Sequence, residues 1–389
     1  MTHYQILVPP PKRHRNAWIA VIVAVIVAAG AAGSYAVWRH VHETRHASQA
    51  RDGGTRPTAK AFAVVSTVPV TGASDVPPDQ VVTVHLSAPV VGTSGMPTFN
   101  PPVDGVWAKV GPKSLSFRAT APFLPTSTET LVIPAGAAGP HATSGAVLAQ
   151  PVTVTFTVAQ ASTERLQQLL AQLDYLPLSF TASGTLSAPT EETTAQAGTF
   201  AWRWSGAPAS LTSLWTEGYE NVITKGAVMN FENQNGLAVD GLAGPRVWAT
   251  LLSDVAAAKL NAEPYTYVLV SKQLPESLTL FENGAPVLVD IPVNTGAPGA
   301  DTVDGTFPVF EHVTSSRMKG TNPDGTTYDD PNVPWASYFN GGDALHGFVR
   351  ATYGSPQSNG CVEMRISDAA KVWPLAPIGT LVTVVGPAS

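Results

Sequence analysis

From residue 62 onward, apolar positions follow two rhythms along the chain. Between 62 and 158 they recur at every second residue over short runs: Val81-Val82-Thr83-Val84-His85-Leu86, Ser114-Leu115-Ser116-Phe117, Glu129-Thr130-Leu131-Val132-Ile133 and Val152-Thr153-Val154-Thr155-Phe156. A period of two, interrupted by Gly and Pro, predicts strands with one buried face and hence a β-sandwich. The rhythm then changes. Leu166, Leu169, Leu170 and Leu173 stand at helical spacing behind Ser162, an N-cap residue, and Asp174-Tyr175-Leu176-Pro177 ends the helix. Two further helices are predicted over 226–232 and 246–252. Strands return at 265–270, 277–281, 287–293 and 380–385, with a hairpin turn at Glu282-Asn283-Gly284-Ala285. One helix is predicted in this last part, over 367–373, capped by Ser367 or Asp368.

Residues 17–38 follow neither rhythm: Ala17 to Trp38 is an uncharged, almost wholly apolar run. Its 22 residues at ~1.5 Å each reach about 33 Å, enough to cross a bilayer core. Lys12, Arg13 and Arg15 precede it and favour a cytoplasmic tail over 1–16. The expectation is a single-pass anchor in the cell membrane with everything after it outside; a cleaved signal peptide, using the small residues at 28–33, is the competing reading. Residues 39–61 are polar, without apolar period, and read as a linker.

Composition changes this picture little. Gly 33 and Pro 34 suit many short strands and turns. Net charge is −6, and Lys12, Arg13, Arg15, Arg39, Arg45 and Arg51 all lie in the first 51 residues, so the remainder is clearly acidic. An acidic body argues against a nucleic-acid partner.

Candidate chemistry centres on a single cysteine. Cys361 cannot form an intramolecular disulfide, and its setting, Ser358-Asn359-Gly360-Cys361-Val362-Glu363-Met364, is polar and glycine-containing rather than that of an inert core thiol. A thiol needs a base to attack near neutral pH. From residue 263 on there are two histidines, His312 and His346; His346 lies fifteen residues before the cysteine, in Ala344-Leu345-His346-Gly347-Phe348. His312 reads as a surface or hairpin residue. Asp329, Asp330 and Asp343 could receive a cationic side chain or cap turns, and turns are the reading taken. There is no His/Cys cluster of metal-binding spacing and no phosphate-binding glycine loop, so neither metal nor cofactor is expected.

Three resemblances to known families follow from these residues. Residues 62–160 resemble bacterial Ig-like domains, without a sharp motif. The segments RLQQLLAQLDYLP and AVMNFENQNGLAVDGLAGPRVWATL, within 161–260, resemble the three-helix peptidoglycan-binding domain, split by an insertion at about 178–218. Over residues 263–387, HG…SNGCVEM resembles the His-Gly…Ser-x-Gly-Cys signature of the L,D-transpeptidase (YkuD-type) catalytic domain. That resemblance implies a mostly-β fold and a cysteine acyltransferase of peptidoglycan biosynthesis. Cys361 would be the nucleophile that attacks the third residue of a stem tetrapeptide, and His346 its base, oriented by the Gly347 carbonyl. The backbone at Gly360 and Cys361 would form the oxyanion hole. Tyr328 and Met318 would belong to the lid and donor site, with Ser358 supporting the histidine side and Asn359 beside the thiol. Asn359 stands where many members have His, and Glu363 where many have Arg. The resemblance implies 3→3 crosslinking, with carbapenems as covalent inhibitors. An L,D-carboxypeptidase, a protein-to-peptidoglycan ligase using the same site, and a non-catalytic peptidoglycan-binding protein are the alternatives.

Overall fold

The computed structural model describes residues 61–92, 95–184 and 193–387. The expected anchor at 17–38 and its flanks at 1–16 and 39–60 lie outside the described residues. Among the described residues no helix is long and apolar enough to cross a membrane.

The first part contains β1 (Val64–Val68), β2 (Ala73–Val76), β3 (Val82–Leu86), β4 (Thr98–Phe99), β5 (Gly105–Gly111), β6 (Ser114–Ala119), β7 (Thr128–Ile133) and β8 (Val152–Val158). They form two four-stranded sheets, β1-β3-β6-β5 and β2-β8-β7-β4. The period of two does what it predicts: Val82, Val84, Leu86, Leu115, Phe117, Leu131, Ile133, Val154 and Phe156 point into one core between the sheets. His85 faces away from that core, its Nδ1 3.0 Å from Ser114 Oγ.

The middle part has α1 (Thr163–Gln172), β9 (Leu178–Ala182), β10 (Gly198–Trp202), a one-turn α2 (Ala209–Thr212), α3 (Val222–Gln234) and α4 (Pro245–Ala256). Ser162 caps α1, its Oγ accepting from the Arg165 N–H at 3.1 Å. The segment read as an insertion is structured where described. β9 and β10 form an antiparallel hairpin, and Phe180 packs on Phe200 and Phe200 on Trp215.

The last part is one nine-stranded sheet flanked by α5 (Ile366–Val372). Its strands are β11 (Thr266–Ser271), β12 (Ser277–Glu282), β13 (Ala285–Asn294), β14 (Gly305–Pro308), β15 (Glu311–Thr321), β16 (Thr327–Asn340), β17 (Asp343–Gly347), β18 (Val362–Met364) and β19 (Leu381–Val385). The order is β14-β19-β11-β12-β13-β18-β17-β16-β15. Two differences from the sequence reading stand out. Neither Ser367 nor Asp368 caps α5: both lie inside it, the N-cap is Arg365, and no side chain caps the end. His312 lies in the β15–β16 hairpin, as one reading had it, but is half-buried rather than free at the surface: it lies flat against Trp373 with ring centroids 4.0 Å apart, and its Nδ1 is 3.0 Å from Ser337 Oγ.

The middle and last parts share apolar packing. Tyr267 of β11 and Leu381 of β19 belong to the same buried cluster as Leu169, Leu170, Phe231, Trp248 and Leu251. At the seam two glycines meet: a Cβ on Gly226 would press on the Gly379 carbonyl, and one on Gly379 would press on the Gly226 carbonyl.

Candidate active site

The site is built on one parallel strand pair. β17 and β18 run in the same direction, with Leu345 opposite Val362, His346 opposite Glu363 and Gly347 opposite Met364. Parallel neighbours need a crossover of about a dozen residues or more, and the segment between Gly347 and Val362 supplies it. The fifteen-residue spacing of His346 and Cys361 is therefore the length of a crossover that returns the chain beside its own start. Carrying the register back one step sets Cys361 beside Ala344. Side chains alternate along a strand, so the thiol and the imidazole share one face of the pair.

Three groups fix the crossover. Asn294, fully buried at the end of β13, accepts the Gly354 N–H at 3.0 Å and donates to the Thr352 carbonyl at 3.3 Å. Tyr353 donates to the Phe348 carbonyl at 2.6 Å. Arg350 makes a two-pronged ion pair with Glu363, Nε to Oε2 at 2.7 Å and Nη2 to Oε1 at 2.8 Å, and also reaches the Gln357 carbonyl at 3.3 Å. Arg350 thus supplies the positive charge opposite Glu363, while Arg365 lies elsewhere, over the Tyr353 ring.

Two glycines have steric roles. A Cβ on Gly347 would press on Ile366 and Ala369, so this glycine lets α5 approach β17. Gly360 has φ +109, a region in which L side chains are strained, and a Cβ there would collide with the Asp343 carboxylate. The turn before the thiol is held from below. Ser358, fully buried, donates to the Cys361 carbonyl at 2.5 Å and accepts from the Gly360 N–H at 3.3 Å, so its hydroxyl serves the cysteine turn rather than the histidine. Thr302 donates to the Gly360 carbonyl at 2.7 Å and accepts the Gly296 N–H at 2.9 Å. Glu276 holds the adjoining strand end through the Thr295 N–H at 2.7 Å and its hydroxyl at 2.6 Å.

A cavity of about 600 Å³ opens above this turn. Cys361, Gly360 and Asn359 form one side, Asn340 to Asp343 another, and Tyr328 with residues 299–301 and Val303 the rest. Asn359 donates to Asn322 Oδ1 at 3.0 Å, joining the cysteine turn to the β15–β16 tip. Met318 is fully buried in the cluster that holds Tyr328 and Cys361, and it is not part of the cavity wall. Asp329 is bound to Arg317 in the hairpin. Asp343 begins β17 and accepts from Asn340 Nδ2 across the turn at 341–342, at 3.3 Å, and it also faces the cavity.

The electrostatics describe a resting site with neutral partners. Burial depresses the pKa of His346, with the Arg350 charge acting in the same direction; Glu363 and the Gly347 carbonyl oppose it. The imidazole Nδ1 lies 3.2 Å from that carbonyl. Nδ1 therefore carries the proton, leaving Nε2 as the basic nitrogen. Burial also pushes the Cys361 thiol well up, and the Asp343 carboxylate adds to this, against the Ala344 N–H. The thiol donates weakly to the Gly342 carbonyl at 3.7 Å. Burial keeps Tyr328 a phenol. A thiol at a cavity wall, a neutral imidazole on the same sheet face and a phenol opposite suit acyl transfer in which the base takes the thiol proton only as the nucleophile attacks.

Residues 265–384 match the L,D-transpeptidase catalytic domain family, YkuD. Nothing among curated proteins matches the chain. Among solved structures it is similar to L,D-transpeptidase 3 from Mycobacterium tuberculosis in complex with a faropenem-derived adduct, at 14% identity over 83% of this chain and 97% of that one, TM-score 0.29. It is also similar to an L,D-transpeptidase from Mycobacterium smegmatis, at 13% identity over 84% and 100%, TM-score 0.27. The catalytic domain of the E. faecium L,D-transpeptidase acylated by ertapenem shows 26% identity over 32% of this chain and 99% of that one, TM-score 0.28. Within the L,D-transpeptidase domain, motif reading singled out the residues of the crossover ends but passed over Glu276 and Arg350. These act through folding, and no local spacing marks them.

Proposed function

We propose that this protein forms 3→3 peptidoglycan crosslinks by cysteine acyl transfer. The observation that carries the reading is Cys361 on the wall of a cavity, with His346 buried neutral on the same face of the β17–β18 pair, inside a matched L,D-transpeptidase domain. Cys361 Sγ attacks the carbonyl carbon of the third residue of a stem tetrapeptide as its proton passes to His346 Nε2. The oxyanion is met by backbone N–H groups at Gly360 and Cys361 and by the Tyr328 hydroxyl. For this the Gly360 N–H turns from the Ser358 hydroxyl. Collapse breaks the bond to D-Ala, whose nitrogen takes the proton from His346, and a thioester remains. An amine of a second stem then attacks the thioester, its proton passing through His346 to the departing thiol.

The remaining parts fit an envelope enzyme. An anchor at 17–38 would hold the protein in the membrane, the Ig-like sandwich would act as spacer, and the helical part would bind the wall. Intact-mass measurement of the full-length protein after incubation with a stem tetrapeptide, and separately with a carbapenem, tests the chemistry. Expected is a covalent adduct at Cys361 from each, with release of D-Ala from the peptide and none in Cys361→Ala. A folded protein whose thiol reacts with small alkylators but with neither compound rules the reading out. Addition of a second stem distinguishes crosslinking from hydrolysis.

A further inference from the structure

Two carboxyl groups line the cavity beside Cys361. Asp343 is half-buried on its wall, and exposed Asp301 stands at its rim. No Lys, Arg or His lines this cavity among the described residues. Among the described residues Asp343 makes one side-chain hydrogen bond, from Asn340 Nδ2 to Oδ2 at 3.3 Å, and no ion pair. Its other oxygen, Oδ1, lies against Gly360, where a Cβ would strike it. The chain thus keeps a glycine beside the nucleophile and a carboxylate in the space that the missing Cβ leaves.

That placement is unfavourable for an empty site. A carboxylate next to a thiol opposes formation of the thiolate, and Asp343 is second only to burial in holding the Cys361 thiol up. Burial in turn holds Asp343 itself at about 7. Both costs vanish when a cation sits on the carboxylate. A positive group there completes the buried charge and removes the opposition to the attacking sulfur. If Asp343 served only to shape the turn at 341–342, its negative charge would be unnecessary, because an amide of the same shape could keep the Asn340 contact.

We propose that Asp343 is a specificity residue whose carboxylate receives a primary ammonium group of the substrate in the Cys361 cavity and, once neutralised by it, permits attack by the thiol. For stem peptides this rests on the acyl-transfer reading above. The ammonium has two sources, the side chain of the donor's own diamino residue or the incoming acceptor amine before it loses its proton.

Because Cys361 is the only cysteine, thiol reagents report on it alone. The first test compares the full-length protein's reaction with cationic 2-aminoethyl methanethiosulfonate and neutral methyl methanethiosulfonate, each rate divided by that of a free thiol. Expected is a cation preference of about tenfold in the wild type, lost in Asp343→Asn, with a faster neutral reaction in the variant. An equal preference in both proteins overturns the proposal. Should Asp343→Asn not fold, the wild type alone decides: its preference must fall as salt rises toward 1 M, and no excess over the free thiol overturns the proposal. The second test compares tetrapeptide donors with a free and an acetylated side-chain amine. Slower acylation by the acetylated donor, in the wild type but not in the variant, identifies the donor as the source. A preference that appears only when amine and water compete for the thioester identifies the acceptor. A wild type that shows the cation preference but is acylated by neither donor leaves the ammonium site standing and removes the stem-peptide reading.

Discussion

Glu363 carries its carboxylate at a position with no solvent exposure, and Arg350 matches it with two hydrogen bonds from across the crossover. Removing one partner of such a pair strands a charge, whereas replacing both need not. Glu363→Gln is expected to lower stability by about 3–5 kcal/mol, and the double variant Glu363→Leu/Arg350→Leu to regain most of it, as read from urea unfolding of each. His312 makes a separate prediction. Burial against Trp373 holds its pKa at about 4, below the ordinary 6.5. Between those values the unfolded chain binds a proton at residue 312 that the folded chain does not, so stability rises with pH across the window and is lost toward acid. His312→Phe keeps the stacking and removes that proton; its unfolding free energy should depend less steeply on pH between about 4 and 6.5. Sequence alone marked Cys361 and His346 because a lone thiol and one of two histidines stand in a short, recognisable run. Glu363, Arg350 and Asp343 were harder to read: a charged residue's meaning depends on which strand end it faces.

At the level of elements, the strands of the sandwich and of β11, β12, β13 and β19 were legible from their alternation. The β15–β16 hairpin was not. Gly320, Pro331 and Pro334 are turn signals in sequence, yet the structure keeps all three in paired strands, with register shifts between Ser316 and Met318 and between Tyr338 and Asn340. The β9–β10 hairpin was missed because its alternation is short and the aromatic partner of its Phe200, Trp215, is brought in from later in the chain. The crossover between β17 and β18 hangs on Asn294. Asn294→Ala removes one acceptor from the Gly354 N–H, which keeps the Val293 carbonyl, and one donor from the Thr352 carbonyl, which keeps Gln357, at a cost of about 1 kcal/mol. Hydrogen exchange of residues 350–360 should quicken markedly in that variant, while exchange in the sandwich stays as it was.

For the whole molecule, reading the helical and catalytic parts as successive units divided by 261–262 left out their common packing. Tyr267 and Leu381 look like ordinary strand residues until Leu169, Phe231 and Trp248 are seen around them. The close approach of Gly226 and Gly379 is the point where α3 meets the turn before β19. Gly226→Leu would force them apart, and calorimetry should then resolve separate transitions for parts that otherwise unfold together.

That seam also bears on how the enzyme would search. A flexible tether lets a catalytic head sample a volume set by its length, and local concentration falls as the tether grows. Apolar packing across Gly226 and Gly379 substitutes a fixed offset. A glycan held on the helical part would meet the thiol at a defined distance along the strand, so that the protein would measure the wall as a ruler does, choosing stems by their spacing as well as by their chemistry.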